Sequence, residues 1–171
     1  AIVIASAGGR VAKHGNRSLS SRCGSSDLLE AFGVQIDASP RTMIRTLQST
    51  GLGYFHAPNY HPVFSKLQPL RRKLKVRTIL NLLGPLANPF RLDFQLVGVS
   101  RKEYIPLFAR VLKNQGIRRA LVCHSEDGLD EISTAAPTWL AWVRKGKITY
   151  ERLNPRSLGF SKTSALSYRG G

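Results

Sequence analysis

Residues 94–123 run FQLVGVSRKEYIPLFARVLKNQGIRRALVC. The opening FQLVGV is an apolar run of strand length, which predicts a buried strand over Phe94–Val99. Ile105, Phe108 and Leu112 then recur at helical spacing, and Gly116 marks the end of that helix. Ala120–Cys123 (ALVC) is a second buried strand. Strand, amphipathic helix and strand in succession predict an α/β chain, with a central, mostly parallel sheet flanked by helices.

The same alternation extends outward. Upstream, Gly8-Gly9 suits the end of a short helix, and Val11-Ala12-Lys13 reads as a strand feeding a polar loop. Ser25-Ser26-Asp27 precedes Leu28, Leu29 and Phe32, with Glu30 three after Asp27, a capping signal followed by an apolar stripe and a Gly33 stop. Ser39-Pro40 opens a helix carrying Met43 and Leu47, closed by Gly51. Gly53–Ala57 is strand-like, and Pro62 to Leu74 reads as helix interrupted at Pro69. Downstream, Thr138–Arg144 and Lys147–Leu153 flank Lys145-Gly146, which predicts a hairpin.

The chain has 171 residues, the length of one domain, and no linker or repeat divides it. Its apolar fraction of 42% and mean hydropathy of −0.16 exclude a disordered chain. No apolar run approaches the roughly 20 residues needed to span a bilayer. Two cysteines, Cys23 and Cys123, are too few for a disulfide scaffold and point to a reduced, cytoplasmic compartment. The chain opens apolar without Met and closes on Arg169-Gly170-Gly171, so both ends read as cut from something longer. The net charge is +16, with a pI near 10.8.

Four constellations carry candidate chemistry. Lys13-His14-Gly15-Asn16-Arg17-Ser18-Leu19-Ser20-Ser21, followed by Gly24-Ser25-Ser26, joins a strand to a capped helix. Hydroxyls and backbone N–H groups at a helix start suit phosphate oxygens, and Lys13 and Arg17 supply positive charge. A solvated loop with capping serines fits the same composition. Glu126-Asp127-Gly128-Leu129-Asp130-Glu131 packs four of the ten acidic residues into six positions after a strand. Such a cluster suits Mg²⁺ shared with substrate phosphates, or else an exposed acidic turn paired with the many basic residues. Lys66, Arg71, Arg72, Lys73, Lys75 and Arg77 put six cations in twelve residues with no acid. They read as an anion clamp, a nucleic-acid patch or, for most of them, a solvated helix face. His56, Tyr60 and His61 surround Ala57-Pro58-Asn59 and can wall a planar ligand. The four histidines His14, His56, His61 and His124 lack the close spacing of a zinc site and read as satisfied structural groups. Trp139 and Trp142 read as core or edge packing.

Together these blocks resemble the anthranilate phosphoribosyltransferase family. The resemblance rests on KHGNRSLSSRCGSSD (13–27), Ala57-Pro58 with His61-Pro62, RTILNLLGPL (77–86) with Asn88-Pro89, and DGLDEIS (127–133), in family order and covering nearly the whole chain. It implies a nucleoside phosphorylase/phosphoribosyltransferase-like α/β domain over residues 1–171, without the family's N-terminal helical domain. It implies transfer of the 5-phosphoribosyl group of phosphoribosyl pyrophosphate to anthranilate, giving N-(5-phosphoribosyl)anthranilate and pyrophosphate in tryptophan biosynthesis. Lys13, His14, Gly15, Asn16, Arg17, Ser18, Leu19, Ser20, Ser21 and Ser25 would line the phosphoribosyl pyrophosphate site. Asn16, Arg71 and His14 would meet anthranilate, with Arg71 on its carboxylate. Asp130 and Glu131 would hold Mg²⁺. The aromatic amine is already a neutral nucleophile, so no general base is assigned. The family is homodimeric through the helical domain, and its glycine-rich pyrophosphate loop lies upstream of Ala1. Lys75 stands where a glycine is usual, Lys73 where an acid is usual, and Ser125 where a glycine is common. The alternatives are a basic nucleic-acid-binding relative of the same fold, which the charge favours and the acidic pair opposes, and a nucleoside phosphorylase.

Overall fold

The computed structural model describes residues 1–17, 23–63 and 80–161. The chain divides into two compact units, Ala1–Phe90 and Arg91–Gly171.

In the first unit the elements run α1 (Ile2–Ser6), β1 (Val11–Gly15), α2 (Ser25–Ala31), α3 (Pro40–Thr50), β2 (Leu52–His56), α4 (Ala57–Tyr60) and α5 (Leu80–Leu83). β1 and β2 pair in parallel, from Val11 opposite Leu52 to Gly15 opposite His56. A parallel pair needs a long crossover, and α2 and α3 supply it. α3 begins as expected: the Ser39 hydroxyl accepts from Thr42 N–H, Pro40 takes the first turn, and Gly51 closes it at φ +78°. α2 begins earlier than the spacing suggested. Its N-cap is Gly24, and Asp27 is the third helical residue, reaching back to accept from Gly24 N–H at 2.7 Å. Glu30 is thereby released from a capping role. The apolar faces of α2, α3 and β2 meet in a core of Leu29, Ile36, Ala38, Met43, Tyr54 and Phe55. Phe90 lies edge-on to Phe55, with centroids 4.4 Å apart.

In the second unit the elements are β3 (Phe94–Gly98), α6 (Ile105–Asn114), β4 (Arg119–Ser125), β5 (Thr138–Arg144) and β6 (Lys147–Leu153). They form a sheet in the order β3-β4-β5-β6. β3 and β4 are parallel across α6, whereas β4–β5 and β5–β6 are antiparallel. The α/β class stands, while the described strand pairs are mixed rather than mostly parallel. For β5–β6 the physical reason lies in the turn: Lys145 at φ +48° and Gly146 at φ +72° form a two-residue connection, which permits only an antiparallel partner. α6 presents Ile105, Phe108, Ala109 and Leu112 to a core with Val97, Ala120, Val122, Ala141 and Val143. β3 is not buried throughout. Among the described residues it is an edge strand, with Val97 buried but Phe94 and Leu96 more than half exposed. Trp139 and Trp142 are half-buried on β5, and each carries a cation on its ring, Lys102 Nζ at 3.4 Å and the Arg144 guanidinium at 3.9 Å.

The expected helix over Pro62–Leu74 falls almost wholly outside the described residues, as does the cation run of Lys66–Arg77. Among the described residues, no helix is long and apolar enough to cross a membrane.

Gly98 is a packing requirement. A Cβ there would sit 1.7 Å from the backbone oxygen of Asp130, so the loop after β4 lies directly on the end of β3. Gly98→Ala must push that loop away, and urea unfolding should show a loss of at least about 2 kcal/mol. Gly84→Ala, whose Cβ meets nothing within 4 Å, should stay within about 1 kcal/mol of the parent. Similar midpoints for the two variants would contradict the close approach.

Candidate active site

The first cluster forms where β1 and β2 end side by side, the edge at which parallel α/β sheets gather ligands. Lys13, His14 and Gly15 are the last residues of β1, and Asn16 and Arg17 follow it. The loop is tied down from below. Ser26, fully buried on α2, donates its hydroxyl to the Asn16 carbonyl at 2.6 Å and is hydrogen-bonded to the Tyr54 hydroxyl on β2. Burial raises the Tyr54 pKa and keeps the phenol protonated. A Cβ on Gly15 would come within 3.2 Å of that phenol oxygen, so the strand end is closely packed.

Asn16 is exposed at this edge. Its side-chain oxygen accepts from Arg17 N–H at 2.8 Å and lies 3.2 Å from His56 Nε2. Arg17 forms a two-pronged pair with Glu30, at 2.7 and 3.4 Å. A phosphate at Arg17 would therefore have to compete with Glu30. That pair is half-exposed and so worth little on its own, which makes the exchange inexpensive. Ser25 is exposed on the first turn of α2. Ser18, Leu19, Ser20, Ser21 and Arg71 lie outside the described residues.

The histidines do not all behave as satisfied structural groups. His61 Nε2 donates to the Ala87 carbonyl at 2.7 Å, and His124 Nδ1 donates to the Val99 carbonyl at 2.8 Å. By contrast, His14 Nε2 and His56 Nδ1 are buried without a hydrogen-bond partner among the described residues. His14 and His61 lie edge to face, 5.1 Å apart. Burial first, then the neighbouring His61 and His56, pushes the His14 pKa down to about 4. Burial, then the Arg17 charge, lowers that of His56. This edge therefore presents neutral imidazoles at pH 7. The sequence pattern does not single out Tyr54, and it reads His56 as the wall of a planar-ligand loop or a satisfied structural group, not as a partner of Asn16. The signal for them was positional, since both sit on the strand paired with the loop-bearing one.

The second cluster is the loop after β4. Its four carboxylates divide by role. Glu126 forms a bidentate pair with Arg152 at 2.8 Å on each prong, which lowers its pKa. Asp127 is a turn former: Oδ1 accepts from Leu129 N–H and Oδ2 from the Ser133 hydroxyl at 2.6 Å. Burial opposes its ionisation, but these hydrogen bonds outweigh it and its pKa falls. Asp130 and Glu131 remain exposed and are in no ion pair among the described residues. Behind them, burial and then the charges of Glu131 and Asp130 push the Cys123 thiol up to about 11, leaving it inert. No group of three or more His, Cys, Asp or Glu side chains that could hold a metal occurs among the described residues. Two hard oxygen donors without a cation partner nevertheless fit Mg²⁺ completed by substrate phosphates and water.

All of residues 1–171 match the glycosyl transferase family, a/b domain. The chain belongs to that family. It is 48% identical over 174 residues to the anthranilate phosphoribosyltransferase of Thermomicrobium roseum, and 47% identical over 171 residues to that of Persephonella marina. Each alignment covers 100% of this chain and 50% of the relative. The chain thus spans about half the length of the curated relatives it matches. The crystal structure of anthranilate phosphoribosyltransferase from Thermus thermophilus superposes with a TM-score of 0.85 at 38% identity, over 100% of this chain and 50% of that one. The Saccharomyces cerevisiae enzyme in complex with PRPP and Mg shares the fold, with a TM-score of 0.83 at 23% identity, over 95% of this chain and 45% of that one.

The buried imidazoles generate a pH dependence. His14 titrates near 6.5 when unfolded and about 4 when folded. The unfolded chain therefore takes up the proton first, and stability falls as pH drops from 6.5 towards 4. The loss should be on the order of 2 kcal/mol after allowance for partial exposure. Urea unfolding at pH 7.5, 5.5 and 4.5 measures it, and His14→Gln should flatten the slope. An unchanged slope in that variant would contradict the depressed imidazole.

Proposed function

We propose that the protein of which this chain forms at least a part transfers the 5-phosphoribosyl group of phosphoribosyl pyrophosphate to anthranilate, in tryptophan biosynthesis. One observation carries the reading: identity of 48% along the whole chain to a relative of that named activity. The site geometry supports it. An exposed amide, a lysine and an arginine lie at one strand edge, and a pair of uncompensated carboxylates follows β4. The alternative of a basic nucleic-acid-binding relative without transferase activity is not favoured, because the exposed Asp130 and Glu131 would repel a phosphate backbone.

In this reading Lys13, His14, Gly15, Asn16, Arg17, Ser18, Leu19, Ser20, Ser21 and Ser25 bind phosphoribosyl pyrophosphate. His14, Asn16 and Arg71 contact anthranilate. Asp130 and Glu131 hold Mg²⁺, which supplies neutralising charge for the pyrophosphate leaving group. The yeast enzyme of the same fold, in complex with PRPP and Mg, is consistent with that role. The amine nitrogen of anthranilate bonds to the anomeric carbon as the carbon–oxygen bond to pyrophosphate breaks, and the nitrogen then releases one proton to water or to the departing pyrophosphate. The amine is neutral at pH 7, so the protein's task is positioning and charge stabilisation. Arg17 exchanges Glu30 for a substrate oxygen. The low pKa of His14 keeps a neutral ring, rather than a cation, beside the aromatic substrate.

Calorimetry on the full-length protein tests the metal role. Phosphoribosyl pyrophosphate should bind at least about tenfold more weakly in EDTA, and the pair Asp130→Asn with Glu131→Gln should reproduce that loss in Mg²⁺. Equal affinity with and without metal would remove both carboxylates from the site. Arg71→Ala should weaken anthranilate about tenfold while changing phosphoribosyl pyrophosphate less than about threefold. Equal losses for both would reject the carboxylate contact.

A further inference from the structure

The orientation of the Asn16 side chain follows from its partners. Arg17 N–H is a backbone donor, so the side-chain atom 2.8 Å from it must be the oxygen. That oxygen also lies 3.2 Å from His56 Nε2, and two acceptors cannot share a hydrogen bond. His56 therefore carries its proton on Nε2, and Nδ1 holds the lone pair. Nδ1 is the buried nitrogen that lacks a partner among the described residues, which a lone pair tolerates better than an N–H would. With both lone pairs of the Asn16 oxygen occupied, the free valences of its carboxamide are two N–H donors. They have no acceptor among the described residues, and Asn16 is exposed.

His56 suits this task. It is 7% exposed and ends β2, directly opposite Gly15, the residue before Asn16. A donor on a strand end is held more firmly than one on a loop. The Ser26 hydroxyl fixes the Asn16 main chain from the other side, at 2.6 Å. Backbone and side chain of the same residue are thus each held by a buried group.

We propose that His56 is a positioning residue that locks the Asn16 carboxamide with its oxygen held and its N–H groups turned out as donors, so that this point of the site selects an acceptor on the aromatic substrate, its carboxylate, and not a donor. The substrate clause rests on the transferase reading, whereas the locking of Asn16 does not. His56 touches no reacting atom in this account and acts only through Asn16.

Two measurements test it. Long-range ¹H–¹⁵N NMR of the full-length protein at pH 7.5 should show His56 protonated at Nε2 and bare at Nδ1; the opposite tautomer overturns the proposal. Steady-state kinetics of the parent, His56→Phe and His56→Gln form the second arm. Phe keeps the ring shape without the donor, whereas Gln restores an N–H. His56→Phe should raise KM for anthranilate about five- to tenfold, with kcat within about twofold. His56→Gln should return KM to within about threefold of the parent. An unchanged KM in His56→Phe, or no rescue by Gln, overturns the positioning role. A parent protein that turns over no anthranilate defeats the transferase reading and the substrate clause with it. That outcome is distinct from the wrong tautomer, which defeats the locking alone.

Discussion

Gly15 and His56 face each other at the ends of two parallel strands, and the chemistry of the first unit depends on that pairing. Parallel strands deliver their outgoing loops to the same edge. The Lys13–Arg17 segment leaves one strand and the Ala57–His61 segment leaves the other. Groups forty residues apart in sequence, Asn16 and His56, thereby come within hydrogen-bonding distance. The buried Ser26 hydroxyl adds the third element, binding the first turn of α2 to both the loop and the second strand.

The second unit solves a similar problem by close packing. Its acidic loop is placed by a missing side chain, since only glycine at position 98 lets the Asp130 backbone rest on β3. Within the loop, hydrogen bonding occupies Asp127 and ion pairing occupies Glu126. Asp127 shapes the turn and Glu126 holds Arg152, whereas Asp130 and Glu131 are in no ion pair among the described residues. A run of acids in a strongly basic chain thus divides into a half spent on local structure and a half left open to solvent.

Much of this was legible in the residues. The strand–helix–strand of 94–123, the Ser39-Pro40 start and Gly51 stop of α3, and the Lys145-Gly146 turn all carry local signals, and the structure has them where the spacing placed them. The misses share a cause. Phe94 and Leu96 read as buried because apolar runs do not reveal which strand lies at a sheet edge. Asp27 read as an N-cap because a reciprocal hydrogen bond to Gly24 leaves no mark on composition. His14 and His56 read as satisfied because the count of partners at a buried ring nitrogen is a property of packing.

The amino-acid order alone determined the element types, the α/β class and the residues able to bind phosphate, carboxylate and metal, because propensity, capping and side-chain chemistry act over a few residues. Tertiary structure decided how those residues are held. Strand register brought His56 to Asn16, burial lowered the His14 pKa, and the approach at Gly98 set the backbone of Asp130 on β3. Those outcomes depend on distances between segments remote in sequence, and on the dielectric their packing creates, which no local pattern encodes.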